Sequence, residues 1–123
     1  MTLGLFLLAV AGGGLGASLR VVVDALVPAR GGFPWGTLVV NVSGSFALGL
    51  LTGLTQSSLL DAPWLFVLGG GLLGGYTTFS APMVATAEML MRREGGRALI
   101  NSIGMLALTL LGAFAGLVLG RLV

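Results

Sequence analysis

Four apolar runs leave this chain few ways to fold. They cover about 2–26, 35–56, 63–91 and 98–121. At roughly 1.5 Å per residue, each is long enough as a helix to cross about 30 Å of hydrocarbon. Nearly all of the 123 residues are used in this way, so residues 1–123 are read as one four-helix transmembrane domain, all-α, in a multi-pass membrane protein. Composition agrees: 56% of residues are hydrophobic, 8% are charged, and the mean hydropathy of +1.08 lies outside the soluble range. The first run is a poor cleavable leader, because it lacks a basic start and continues to Val23.

Turn-forming segments separate the runs: VPARGGFPWG, TQSSLLDAP and MRREGGR. Such short loops make consecutive helices antiparallel neighbours and put both termini on one side. Arg30, Arg92, Arg93 and Arg97 fall in the first and third loops, whereas the other side carries Arg121 and the amino terminus. Retention of arginine-rich loops in the cytoplasm then turns both termini outward. The chain has no cysteine and no histidine, which removes disulfides, thiolate and imidazole chemistry, and the commonest transition-metal ligands. No nucleophile with a matching acid-base pair is present, so an enzyme is not expected. A formal charge of +2 without a basic patch gives no reason to expect nucleic acid.

Glycine is frequent, 22 of 123, and six pairs stand four apart: Gly12/Gly16, Gly49/Gly53, Gly70/Gly74, Gly71/Gly75, Gly112/Gly116 and Gly116/Gly120. In a bilayer such pairs allow close helix contact, and six of them predict a tightly packed, oligomeric bundle.

The third run contains GLLGGYTTFSAPMV, residues 72–85, which puts Gly-Gly, two threonines, a serine and a proline at mid-membrane. Backbone groups in hydrocarbon must be paired, so this composition needs a reason. One reading ends a half-helix at Gly74-Gly75 and starts another at Ser80, with Ser80 as N-cap and Pro82 in the first turn. Carbonyls from Gly74 to Thr77 would then suit a small cation, and N–H groups after Ser80 an anion. The other reading is a proline kink in a continuous helix whose hydroxyls bond back to carbonyls one turn earlier.

Other polar residues share this depth. Thr37, Asn41 and Ser45 recur every four residues and form one stripe on the second run, while Asn101 and Thr109 lie on the fourth, with Met105 between them. These groups, with the ring edge of Phe79, are hydrogen-bond donors, and donors solvate anions. Arg20, near the end of the first run, snorkels, pairs with Asp24, or lines a wet vestibule that draws anions in.

Three segments, GGGLGASLR, GTLVVNVSGSFALG and GGYTTFS, resemble the Fluc (CrcB-type) fluoride channels in order and spacing over nearly the whole chain. The resemblance implies a fluoride-selective channel in the cell membrane that exports fluoride passively. It also implies a dual-topology antiparallel dimer with two narrow pores. A structural sodium ion, not transported, would sit at the dimer centre on carbonyls that fall here on Gly74 and Thr77. Asn41, Phe79, Ser80 and Thr109 would belong to the fluoride pore, and Arg20 to its vestibule.

Departures from the family pattern are local. Pro82 stands where a second phenylalanine is usual, Ala85 where a glutamate is usual, and Met105 where a small or polar residue is usual. These changes, with four arginines against one, suggest pairing with a different, oppositely oriented homologous subunit. A non-conducting accessory subunit is a further alternative. A small multidrug-resistance exporter, also four-helical, needs a carboxylate deep in the first span; here Asp24 and Glu88 lie near span ends.

Overall fold

A computed structural model describes all 123 residues, and it is helical apart from its loops. Helix α1 covers Leu3–Leu26, α2 Trp35–Gln56 and α6 Gly95–Leu122; these three are each long and apolar enough to cross a membrane. The third run is divided. A first half-helix begins as α3, Ala62–Leu65, continues as a π-wound segment, Phe66–Leu73, and finishes as α4, Gly74–Tyr76. After a non-helical link, Thr77–Phe79, α5 runs from Ser80 to Met91.

Local chemistry accounts for several of the helix ends. The Thr2 side chain accepts from the Leu5 N–H and caps α1. Between α1 and α2, Gly31 and Gly32 take φ of +60° and +81°, the left-handed values that a tight turn requires and glycine tolerates. Asp61 precedes α3, and Pro63 occupies its first turn, where the missing N–H costs nothing. At the far end, the Ser57 hydroxyl donates to the Gly120 carbonyl and so satisfies one of the last acceptors of α6.

Two glycine seams hold the bundle. Helix α1 lies on the first half-helix, and α2 lies on α6. A methyl group added at Gly16, Gly71 or Gly75 would collide with the backbone of Leu72, Ala9 or Gly13 across the first seam. Along the second seam, the same holds for Gly49 against Ala113 and Gly116 against Phe46. Without side chains in between, backbones approach closely enough for dispersion to replace the hydrophobic drive that lipid lacks. Five of the six glycine pairs are therefore spent on close contacts inside the chain. Gly70 and Gly74 remain open: an added methyl there would meet nothing closer than atoms of their own half-helix, at 3.8 and 3.7 Å.

Only 20 of 123 residues are buried, and most large apolar side chains face outward, as lipid or a partner chain requires. On the Arg-rich side, the Arg97 guanidinium sits 4.8 Å from the Phe33 ring centre and 3.6 Å from a Glu94 carboxylate oxygen, tying the first loop to the start of α6.

Candidate functional site

The link Thr77–Phe79 is where backbone groups must find partners outside a helix, and Pro82 withholds one of the donors. In an unbroken helix the Thr78 carbonyl would accept from the N–H of residue 82, which proline lacks. Asn41 supplies the substitute: its Nδ2 donates to the Thr78 carbonyl at 2.8 Å. Its Oδ1 in turn accepts from the Thr78 N–H at 2.9 Å. One buried amide on α2, 7% exposed, thus satisfies both backbone groups of a residue on the third run. The remaining Asn41 N–H approaches the Met105 sulfur, 3.6 Å away.

A second helix contributes to the same link. Arg20 on α1 donates through Nη1 to the Thr77 carbonyl at 3.3 Å. The guanidinium stands at the carboxyl end of the first half-helix, where a positive charge is favoured. It does not pair with Asp24: the one ion pair in the chain is Arg97 with Glu94.

The expected half-helix ends need correction. Gly74 has helical angles, φ −61° and ψ −37°, and helix continues through Gly75 to Tyr76, because Gly75 is held against Gly13 of α1. Ser80 is the first residue of α5 and not its cap. The capping hydroxyl belongs to Thr78, whose Oγ1 accepts from the Ala81 N–H at 3.3 Å and meets Ser80 Oγ at 3.2 Å. Pro82 sits in the first turn of α5, as expected. Asn101 of α6 anchors that turn, donating to the Pro82 carbonyl at 3.3 Å and to Thr86 Oγ1 at 2.9 Å.

A groove of about 240 Å³ opens beside the link. Its polar lining is Asn41, Ser45, Thr77, Thr78 and Ser102; Phe79, Pro82 and Met105 are among its apolar walls. Phe79 is 79% exposed, a large aromatic presented on the open face. Of the expected pore residues, the groove gathers Asn41 and Phe79; Ser80 is adjacent through Thr78. Thr109 stands outside this lining, and its hydroxyl donates to the Leu106 carbonyl. Ser102 is a groove residue that the sequence reading passed over, although it lies three residues before Met105.

No cluster of histidine, cysteine, aspartate or glutamate could hold a metal, so backbone oxygens are the donors available to a cation. Two carbonyls beside the link keep acceptor capacity, the chemistry a small alkali ion would require. The turn of the Thr78 N–H toward Asn41 releases the Gly74 carbonyl from its helical bond, and Gly74 is exposed beside the link. The Thr77 carbonyl accepts one bond from Arg20 and keeps a second lone pair.

The profile of the family described as "CrcB-like protein, Camphor Resistance (CrcB)" matches residues 7–120. A relative from Leifsonia xyli subsp. xyli named "Fluoride-specific ion channel FluC 1" is 44% identical over 121 residues, 96% of this chain and 88% of its own length. A Nitrobacter hamburgensis protein named "Fluoride-specific ion channel FluC 2" is 44% identical over 119 residues, 94% of this chain and 96% of its own. One from Thermus thermophilus, "Fluoride-specific ion channel FluC", is 43% identical over 117 residues, 94% of each chain. With a profile match over almost its full length and relatives this similar, the chain belongs to the CrcB-like family.

Proposed function

We propose that the chain is a subunit of a fluoride-selective channel of the cell membrane that lets fluoride leave the cytoplasm passively. The observation that carries this reading is the groove beside Thr77–Phe79, at the centre of a chain whose family relatives are named for fluoride channels. Fluoride enters cells as neutral hydrofluoric acid and dissociates at cytoplasmic pH. An inside-negative potential then drives the anion outward with about 2.3 kcal/mol per charge per 100 mV, so no nucleotide or coupled ion is needed.

One chain is too small to enclose a pore. The working unit is proposed as an antiparallel dual-topology pair, its subunits meeting where Gly70, Gly74 and Phe79 leave the third run uncovered. Sodium at that junction would be held by the Gly74 and Thr77 carbonyls of both subunits, and it would supply a fixed positive charge between them. Phe79 offers its ring edge to the passing anion, and Arg20, near the link, raises the local anion concentration. A second reading, pairing with a different oppositely oriented homologue, is favoured by Pro82 and Met105 in the groove, where ring-edge and polar contacts are replaced by aliphatic ones.

Fluoride efflux from liposomes reconstituted with the purified chain tests the proposal. Selective efflux that Phe79→Ala lowers by tenfold or more supports a conducting subunit. Efflux from wild type that is indifferent to Phe79 removes that ring from the ion path, and no efflux from the chain alone is the outcome for an accessory subunit. Robust efflux from the chain alone excludes an obligatory different partner.

A further inference from the structure

An anion that sheds water needs donors whose hydrogens are not already committed. The polar side chains of the groove can be counted by that criterion. Asn41 spends one N–H on the Thr78 carbonyl and directs the other at Met105. Thr77 Oγ1 donates to the Leu73 carbonyl at 2.9 Å, and Ser102 Oγ donates to the Ala98 carbonyl at 2.9 Å. Thr78 Oγ1 accepts from the Ala81 N–H and is engaged with Ser80. Ser45 is different: its hydroxyl lines the groove and makes no hydrogen bond with any protein atom.

This is unusual for a helical serine in a membrane. Such hydroxyls ordinarily bond back to a carbonyl one turn earlier, as Ser18, Thr52, Thr55 and Thr86 do here. An O–H left free in hydrocarbon loses a hydrogen bond without recompense, so the groove must supply an acceptor. A permeating anion is the acceptor that the proposed function provides.

We propose that Ser45 is a direct anion-contacting residue of the path, its O–H a side-chain donor of this groove that no protein atom engages. Asn41 is instead a positioning residue that builds the link. The two stand one helical turn apart, so the amide fixes the wall and the hydroxyl, about 6 Å further along α2, faces the passing ion. The assignment rests on the fluoride-path reading of the same groove.

The test uses protein purified from its own membrane, with any subunit that co-purifies, reconstituted for fluoride efflux with chloride as the competing anion. Ser45→Ala is expected to lower fluoride efflux roughly tenfold or more, the scale of losing one hydrogen bond to a charged partner. Ser45→Thr keeps the hydroxyl and is expected to stay within about threefold of wild type. Thr52→Ala, whose hydroxyl is committed to the Leu48 carbonyl, serves as a control for surface loss on α2. Gel-filtration profiles of the variants report folding separately. Wild-type efflux from Ser45→Ala, or equal loss in Ser45→Ala and Ser45→Thr, overturns the assignment and leaves the channel reading intact. Absence of fluoride efflux from the wild-type preparation overturns both.

Discussion

Asn41 and Pro82 are separated by 41 residues, yet the structure makes them one device. Asn41→Ala removes both partners of Thr78: the 2.8 Å bond to its carbonyl and the 2.9 Å bond to its N–H. Each such bond is worth about 1 kcal/mol in proteins generally, and about 0.6 on average with a maximum near 1.7 in membrane bundles. The loss is therefore expected to be about 1–3 kcal/mol. Pro82→Ala works in the opposite sense. It restores an N–H to the position that the Thr78 carbonyl would reach in a continuous helix, so that carbonyl no longer depends on Asn41. In the double variant about 1 kcal/mol of the Asn41→Ala loss is expected to return. A double-mutant cycle measured by reversible unfolding in bicelles reads this directly, with an expected coupling of about 0.5–1.5 kcal/mol. Additive effects, with coupling under about 0.3 kcal/mol, would show that Asn41 does not stand in for the missing proline donor.

Gly75→Val places branched carbon atoms against the Gly13 carbonyl of α1, where even a methyl group does not fit; a loss of about 1–3 kcal/mol from overpacking is expected, read as a lower melting temperature or aggregation in gel filtration. The same substitution at Gly14, which faces nothing within 4 Å, is expected to change little by the same assays. Arg97→Ala removes the contact with Phe33 and the Glu94 pair, both partly exposed. About 0.5–1 kcal/mol is expected, with the ion-pair share shrinking at high salt in unfolding measurements.

Much of the architecture could be read from residues close together in the chain. Loop chemistry at Gly31-Gly32 and Asp61-Ala62-Pro63 marks helix boundaries because φ preferences and missing donors act within a few residues. The expected ends at 26, 35 and 56 match those of α1 and α2, while α6 begins at Gly95 instead of 98. The third run was less legible. Gly74-Gly75 looks locally like a stop, but its glycines are contact surfaces for α1, and close packing keeps them helical. Nor does any short motif announce the π winding of Phe66–Leu73. The stripe of Thr37, Asn41 and Ser45 was visible in the spacing, yet only Asn41 bonds across to the third run, and spacing cannot single it out.

By itself the sequence determined the setting and the chemical vocabulary: apolar runs that demand hydrocarbon, a glycine pattern that demands close backbones, a proline that cannot donate, and neither cysteine nor histidine for thiolate or imidazole chemistry. Only the tertiary structure decided how that vocabulary is spent. Arg20 from α1 and Asn41 from α2 converge on Thr77 and Thr78, which satisfies both backbone groups of Thr78 and leaves the Ser45 hydroxyl open. The physical reason is range. Dihedral preference and a missing N–H act on neighbours in the chain, whereas hydrogen bonds in a medium without water are allotted among whichever groups packing brings within about 3 Å.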